Sequence, residues 1–554
     1  MVAGRAPRSH LYSQPVAEAE IAGDSGSSAH RRRLARSTAI FAAATAGSRV
    51  LGLLREVVVR RYFGVEGSIN AFTVAFAVPN LVRSLVADQA LSGAFVPVFS
   101  ELLEKGDRAR AWRVASSIFF LLLLGLSAIT AAFMLAAPWI MRPFGYDGAQ
   151  EDLVVNLSRV LFPTVLLLGL SGVVVGILNS YEHFTVPALS PIAWNVVIIL
   201  AVVIGVPQTA STTAELYILA GGVLAGTVVQ VLLPLPWLAG LDGRLRVVLD
   251  WRDPAVKRVF VLMLPIAVGL GLINFNLLVD VFFAARFVDP ELAPASIDAA
   301  FRIYMLPQGI FSVAIATVLF PSLSRLAARG DTAGLLDTVS LGLRQIGFML
   351  LPASAVSAVL AVPITRVLYE RGAFTADQTT VVAGALAAFA LGLTFNGTML
   401  MLNRAFFSLQ SPWVPSWVAL GSLVLNGALD AALYRVGVWG IPLATSLVNI
   451  VGTIALAVVL RRRLGTLQGA TILRAYGLIV LAAAVAAGAG YGVWRGLDEL
   501  LGRSLGAQVV SVGLALVAAT AAYLVLARLL GIRELGALLS LVGRSGRRSD
   551  GPRA

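Results

Sequence analysis

Apolar runs of about 20 residues recur along the whole chain and are separated by short polar segments. Only helices or closed barrels satisfy every backbone amide in hydrocarbon, and the period-2 alternation of barrel strands is absent. The pattern therefore predicts an all-α polytopic membrane protein. About fourteen helices are predicted, with apolar cores near residues 38–59, 71–99, 113–140, 153–178, 188–206, 215–239, 259–283, 299–323, 341–365, 380–402, 413–434, 440–460, 475–494 and 506–530.

The polar segments differ in charge from one side of the predicted membrane to the other. The segments "EKGDRARAWR", "GRLRVVLDWRDPAVKR" and "RRRLGTLQGATILR" are rich in Lys and Arg, whereas "VPQTASTTAEL" and "FVDPELAPASID" are poor in both. Cytoplasmic loops carry the excess of basic residues. We therefore expect both termini in the cytoplasm, with residues 1–33 and 541–554 as disordered cytoplasmic tails.

Three segments recur in the same order in the two halves of the chain. "AFTVAFAVP", "VPVFSELLEKGD" and "ILNSYEHFTVP" return as "AFRIYMLP", "LFPSLSRLAARGD" and "MLNRAFFSLQSP". The interval from Pro79 to Pro97 is four residues longer than that from Pro307 to Pro321, about one helical turn. Chance similarity between apolar helices is the alternative, but the matching order argues against it.

The repeat predicts two lobes of six helices, residues 34–240 and 250–463. Six is an even number, so both lobes enter the membrane in the same orientation and are related by a pseudo-twofold axis along the membrane normal. Two C-terminal helices, within residues 472–532, are additional. Two such bundles enclose a cavity that opens to either side by rocking.

Composition narrows the function. The chain is 58% hydrophobic and 13% charged, with a mean hydropathy of +0.84, no cysteine and three histidines. Disulfides and thiolate chemistry are excluded, and we expect no catalytic residues, no metal site and no enzymatic activity. The net charge of +13 is attributed to flanks and loops near anionic lipid. Nucleic-acid binding is disfavoured because aromatic residues are not interleaved with the charges.

Charged residues inside the apolar runs are the strongest functional signal. They are Arg49, Arg55 and Glu56 in the first predicted helix, Arg83 and Asp88 in the second, and Arg302 in the eighth. Facing lipid, each would cost about 2.5 to 3.5 kcal/mol, so we expect all of them to face the interior. The pair Arg60 and Arg61 is assigned to the outer flank of the first helix.

Four arginines against two carboxylates leave two surplus positive charges in this set. Arginine presents forked donors that match phosphate oxygens, so a doubly anionic ligand would complete the site. The alternative is a structural network of inter-helix salt bridges with a snorkelling arginine.

A second polar group lies in the second half of the chain. Asp280, Asn426 and Asp430 supply oxygen ligands in otherwise apolar helices and form a candidate site for a coupling cation, Na⁺ or H⁺. Satisfied polar contacts between helices are the alternative. No other cofactor is expected.

Four segments carry a family resemblance: "SRVLGLLREVVVRRYFG", "NAFTVAFAVPNLVRSLVADQALSGAFVPVFSE", "ILNSYEHFTVPALSPIAWN" and "VLYERGAFTADQT". Together they resemble the MurJ (MviN) family of lipid II flippases, in the multidrug/oligosaccharidyl-lipid/polysaccharide exporter superfamily. The likeness runs from about Ala35 to Arg463. It implies a bacterial inner-membrane protein that moves the undecaprenyl-pyrophosphate-linked peptidoglycan precursor from the inner to the outer leaflet by alternating access.

The resemblance also implies roles for particular residues. The substrate-binding arginines of the family match Arg49, Arg55, Arg83 and Arg302, and their acidic neighbour matches Glu56, which replaces a frequent Asp. Asn70 stands where relatives commonly have Asp, so no carboxylate role is carried over to it. Predicted helices 13 and 14 correspond to a groove for the lipid tail. The implied partners are lipid II and membrane lipids, with cell-wall synthesis proteins as candidates.

Two other functions fit part of the pattern. An exporter of another polyprenyl-linked glycan or of a cationic drug would share the fold, but a drug cavity should carry surplus carboxylates and aromatics. A membrane scaffold for cell-wall synthesis would recruit partners through the basic tails and use the polar core only structurally. An intramembrane glycosyltransferase lacks a paired acidic motif beside a large enough loop.

Overall fold

The computed structural model describes residue 44 and residues 46–86, 89–465 and 469–536, and every regular element in that part of the chain is helical. The all-α polytopic fold is confirmed. The long helices are α1 (46–63), α2 (Ile69–Val86 and Gln89–Glu104), α3 (Arg108–Phe144), α4 (Ala149–Ser180), α5 (Thr185–Gln208), α6 (Thr212–Leu238), α7 (Pro254–Val288), α8 (Ala293–Ala328), α9 (Thr332–Val359), α10 (Ala376–Ser408), α11 (Trp413–Val436), α12 (Gly440–Leu464), α13 (Gly469–Leu501) and α14 (Leu505–Leu529).

Twelve helices in the described residues are long and apolar enough to cross a membrane. Helices α1 and α2 complete the predicted set of fourteen. Two boundaries differ from the prediction in a way that matters for the site: α1 continues beyond residue 59, and α8 begins at Ala293 and not near residue 299. The predicted tails, 1–33 and 541–554, and Asp88 lie outside the described residues.

The internal repeat is visible at the turns that precede α3 and α9. Asp107 caps α3 by accepting a hydrogen bond from the backbone N–H of Arg110 at 3.2 Å, and Asp331 caps α9 by accepting one from that of Gly334 at 2.8 Å. Each cap follows a left-handed glycine, Gly106 at φ +76° and Gly330 at φ +69°. Equivalent sequence positions thus build the same turn in both halves.

Each lobe is organised around one central helix. In the first lobe, α4 packs on α2, α3 and α6; in the second, α10 packs on α8, α9 and α12. The lobes meet where α7 packs along α2. Helices α13 and α14 lie against the second lobe, where Tyr476 and Tyr523 donate hydrogen bonds to backbone carbonyls of α9 at 2.8 and 2.7 Å.

One end of the molecule, which we call the basic face, carries loops 105–107, 181–184 and 239–253. There, Arg108 pairs with Asp242 at 2.7 Å, and Arg258 pairs with Glu101 at 2.8 Å. A hydrogen bond donated by the Tyr181 hydroxyl lowers the pKa of Asp242, which keeps that carboxylate charged for its arginine. The loops of this face are therefore tied to the helix ends.

The opposite end, which we call the closed face, carries loops 64–68, 145–148, 289–292 and 370–375. Hydrogen bonds join the two lobes across it: Gly67 N to Glu291 O at 2.7 Å, Ala373 N to Arg61 O at 2.8 Å, Tyr146 Oη to Pro290 O at 2.7 Å and Val65 N to Gln378 Oε1 at 3.1 Å. Backbone groups supply most of these bonds. The lobes are thus held together at this end.

Asn70 lies at the centre of the closed face and is fully buried. Its amide nitrogen donates to the carbonyls of Val65 and Gly67, each at 3.0 Å, and to that of Glu291, and its oxygen accepts from Ala295 N at 2.8 Å. A carboxylate has no N–H group and could not donate the bonds to Val65, Gly67 and Glu291. Asn70 therefore has a structural role that uses both the donor and the acceptor of its amide.

We expect Asn70→Ala to destabilise the protein by about 1–3 kcal/mol, because the buried groups it bonds lose their partner. Thermal unfolding of the purified protein in detergent measures the loss. Asn156→Ala is the control, since Asn156 is exposed on α4 and, within the described residues, accepts only from Arg159. Equal melting temperatures for the two variants would contradict the assignment.

Candidate functional site

Four charged side chains form a continuous chain between α1 and α8, in the order Glu56, Arg60, Asp298, Arg302. The Arg60 Nη2 atom lies 2.7 Å from Glu56 Oε1 and 2.9 Å from Asp298 Oδ2, and Arg302 Nη2 lies 3.1 Å from Asp298 Oδ1. Glu56 and Arg60 are one turn apart on α1, as are Asp298 and Arg302 on α8. Arg60 is 2% exposed and joins the two lobes.

Arg55 lies beside this chain and is held more loosely. Its Nη2 is 3.7 Å from Glu56 Oε2, and its guanidinium stacks on the Trp194 ring of α5 at 4.7 Å from the ring centre. Arg302 keeps one buried guanidinium nitrogen, Nε, without a hydrogen-bond partner. Both arginines therefore retain donors that an anion would satisfy.

Arg49 approaches α8 at a second point. Its guanidinium lies against Gly309, where an added Cβ atom would stand 2.3 Å from Arg49 Nη1, so a larger residue at this position would displace the end of the arginine side chain. The Arg49 side chain is exposed. Gly309 belongs to a π-helical turn of α8, Gln308–Ser312. We call Arg49, Arg55, Arg60 and Arg302, with Glu56 and Asp298, the arginine cluster.

Arg83 stands apart from these contacts. Its guanidinium donates to Asn80 Oδ1 on its own helix, at 2.9 Å from Nη2 and 3.3 Å from Nε. The structure therefore brings Arg55, Glu56 and Arg302 together, places Arg49 against the same helix α8, and leaves Arg83 engaged on α2.

Sequence reasoning missed two members of the cluster. Arg60 was assigned to the flank of the first helix, which is wrong: it is buried and pairs with Glu56. Asp298 was assigned to a loop, but it lies in the first turns of α8. The signal for both was present as an acid and an arginine four residues apart, Glu56 with Arg60 and Asp298 with Arg302.

The arginine cluster carries a surplus of two positive charges, since four guanidinium groups face two carboxylates. The same surplus was predicted from a different set of residues: Arg60 and Asp298 now enter the balance, Arg83 is engaged on α2, and Asp88 lies outside the described residues. One of the two surplus charges belongs to the ion-paired set of Arg55, Arg60, Arg302, Glu56 and Asp298, and the other to the exposed Arg49. An ion-paired network that served structure alone should approach neutrality. Chemically, the cluster is suited to an anion with two negative charges.

A second polar group, which we call the acidic cluster, lies inside the second lobe. Asn426 Nδ2 donates to Asp280 Oδ1 at 2.5 Å and to Asp430 Oδ2 at 2.9 Å, and Thr445 Oγ1 donates to Asp280 Oδ2 at 3.3 Å. All three residues of the predicted group are buried. Within the described residues neither carboxylate pairs with a basic side chain, and Asp430 Oδ1 and Asn426 Oδ1 are buried without a partner. Thr445 is a further member that the sequence did not suggest.

Comparisons with known proteins identify the family and the fold. The family model described as "Lipid II flippase MurJ" matches residues 59–501. A protein of Rhizobium tropici named "Probable lipid II flippase MurJ" is 31% identical over 503 residues, covering 89% of this chain and 93% of that protein. The solved structure "Lipid II flippase MurJ, inward closed conformation" matches with a TM-score of 0.70 at 22% identity, covering 88% of this chain and 99% of that one.

A transporter of a second family has the same fold. The inward-facing structure of a multidrug resistance MATE family transporter of the MOP superfamily matches with a TM-score of 0.62 at 19% identity. It covers 78% of this chain and 95% of that one, so the fold is shared beyond the first family.

We expect Arg60→Ala to lower the free energy of unfolding by about 3–5 kcal/mol, because it leaves the buried Glu56 without its closest cation. Arg55→Ala should cost less, since Glu56 then keeps Arg60. Adding Glu56→Gln to Arg60→Ala should restore part of the loss. Thermal unfolding in detergent measures all three variants, and equal loss from Arg55→Ala and Arg60→Ala would contradict the pairing.

Proposed function

The chain belongs to the MurJ family of lipid II flippases, and we propose that its arginine cluster holds the pyrophosphate of lipid II while the lipid crosses the membrane. The observation that carries this proposal is the surplus of two guanidinium charges between the lobes. Pyrophosphate is the anionic group that joins the undecaprenyl chain to the headgroup of this precursor. Guanidinium forks match its oxygens in charge and geometry.

Each arginine has a distinct role in this proposal. Arg55 and Arg49 bind phosphate oxygens directly, because neither is committed to a close carboxylate. Arg302 offers its unpartnered Nε. Arg60 holds Glu56 in place and links it to Asp298, the contact that bound phosphate would weaken, and Arg83 on α2 would contact the headgroup.

We orient the protein in the bacterial cytoplasmic membrane with the basic face and both termini in the cytoplasm. The support is the excess of Lys and Arg in the loops of that face. The closed face then lies toward the outside, so the arginine cluster is reached from the inner leaflet. This is the state that would accept lipid II.

Lipid II must bind more tightly to the state in which the closed face is open, because a ligand that binds two states equally does not change their populations. The chain of ion pairs supplies that preference. Phosphate oxygens compete with Asp298 for Arg60 and Arg302, and so weaken the link between α1 and α8 that supports the closed face. Rocking of the lobes then exposes the pyrophosphate to the outer leaflet.

The polyprenyl chain stays in the membrane along α13 and α14. The support is that these helices pack on the outside of the second lobe and leave large apolar side chains exposed, Leu473, Leu481 and Val485 among them. Membrane lipids would occupy this surface in the absence of lipid II, and enzymes of cell-wall synthesis are the partners that would take up the product.

A cation or proton at the acidic cluster would reset the cycle. Two carboxylates buried beside each other without a basic partner are costly unless a cation binds or one is protonated. Rotating the Asn426 amide by half a turn exchanges its nitrogen for the unpartnered Oδ1, which gives a cation one more oxygen ligand. One charge entering along a potential of 100 mV contributes about 2.3 kcal/mol.

Arg55→Ala should abolish most lipid II flipping without unfolding the protein. The loss of charged hydrogen bonds worth about 1.5–3 kcal/mol corresponds to roughly a tenfold to hundredfold weaker grip on pyrophosphate. Leaflet-resolved lipid II accessibility, in cells depleted of the protein and rescued with each variant, measures the effect. The control is Arg435→Ala, an exposed arginine outside the arginine cluster that donates to the Tyr434 hydroxyl. Equal rescue by Arg55→Ala and wild type would remove Arg55 from the mechanism.

Sodium should raise the melting temperature of the detergent-purified protein when it replaces choline at constant ionic strength, because a ligand that binds only the folded state stabilises it. Asp280→Asn and Asp430→Asn should remove this response, and Asp377→Asn, on the exposed first turn of α10, should keep it. A response to lower pH alone, lost in the same two variants, would identify a proton as the occupant. A response to neither would contradict the cation proposal.

A further inference from the structure

A chain of polar side chains connects the acidic cluster to the π-helical turn of α8 that Arg49 contacts. We propose that Asn396, in the middle of this chain, is a positioning residue that couples occupancy of the acidic cluster to anion binding at the arginine cluster. The inference rests on the proposed function, because it requires a ligand at each of the two clusters.

The first step joins three helices of the second lobe. Gln308 of α8 donates from Nε2 to Asn396 Oδ1 of α10 at 2.7 Å, and Asn396 Nδ2 donates to Asn449 Oδ1 of α12 at 3.3 Å. Asn396 thus uses both ends of its amide, one toward each neighbour. A rotation or displacement of Gln308 therefore acts on Asn449 through Asn396, and the reverse.

The second step lies on α12. Thr445 and Asn449 are one turn apart and share a face of that helix. Thr445 donates to Asp280 Oδ2 at 3.3 Å. The helix that carries Asn449 is therefore bonded directly to the acidic cluster, and a change in the charge or ligands of Asp280 acts on α12.

The third step is the π-helical turn itself. Pro307 has no N–H to donate, and the five residues that follow it, Gln308–Ser312, form a π turn, so the hydrogen-bond ladder of α8 is weakest here. α10 approaches it closely, because a Cβ on Gly397 would lie 2.5 Å from Ser312 Oγ. A π turn relaxes to α-helix by a shift of one residue, which makes it an element with two discrete arrangements.

The π turn lies against the arginine cluster. Gly309, the residue after Gln308, touches the Arg49 guanidinium, so a shift of the turn moves the surface against which Arg49 is placed. The path is Asp280, Thr445, α12, Asn449, Asn396, Gln308, Gly309, Arg49. Coupling between distant sites requires such a two-state element biased from both ends.

The experiment measures the dissociation constant of inorganic pyrophosphate for the full-length purified protein, with sodium and with choline at the same ionic strength. In wild type, sodium should change this constant by about fivefold or more, which is the usual range for coupled sites. In Asn396→Ala the change should fall within about twofold. Sodium should still raise the melting temperature of this variant, because the acidic cluster is intact.

Ser446→Ala is the matched control, since Ser446 bonds the α10 backbone at Ala388 O from the same α10–α12 interface but lies off the chain. It should lose stability and keep the coupling. Gln308→Ala is a second uncoupling variant that does not depend on the folding of Asn396→Ala. If both Asn396→Ala and Gln308→Ala retain the coupling, the role of Asn396 is overturned and the proposed function is not. A wild type that responds to neither sodium nor lower pH overturns the proposed cation site, and a wild type that does not bind pyrophosphate overturns the proposed role of the arginine cluster; either result removes the coupling as well.

Discussion

The burial of Arg60 between two carboxylates from opposite lobes is the interaction on which the rest of the structure depends. A buried guanidinium and a buried carboxylate, Arg60 and Glu56, are costly separately, and the partly exposed Asp298 adds a second partner for the guanidinium. Because Glu56 comes from α1 and Asp298 from α8, satisfying Arg60 also fixes how the lobes meet. The backbone bonds of the closed face reinforce an arrangement that the charges already require.

The sequence predicted the helices well and the charge pairs poorly, for physical reasons. Apolar runs of membrane length leave the backbone one solution, so helix number and order follow. A basic residue after such a run usually marks the membrane interface, and for that reason Arg60 was placed outside the core. Asp298 follows a polar, proline-containing segment, which hid the start of α8. Which carboxylate neutralises which arginine depends on the distance between helices, and only the structure contains that distance.

The two lobes share a repeated pattern but differ in their polar side chains. The capped turns at Asp107 and Asp331 are equivalent, as the repeat requires. The interval from Pro307 to Pro321 in α8 is four residues shorter than its counterpart in α2, and it contains the π turn Gln308–Ser312. The acidic cluster likewise lies in the second lobe, and α1 supplies three of the four arginines from the first. The scaffold is symmetric, whereas the chemistry is not.

This division of charge explains why the two clusters do not simply neutralise each other. The arginine cluster has surplus positive charge between the lobes, and the acidic cluster has surplus negative charge within one lobe. The packed helices α8, α10 and α12 connect the two clusters and keep them apart. Direct contact would give a stable, inert network with nothing left to bind. Held apart, each is completed by a ligand of opposite sign, and any communication must pass through polar contacts between those three helices. The proposed transport of an anionic lipid with the help of a cation requires this separation.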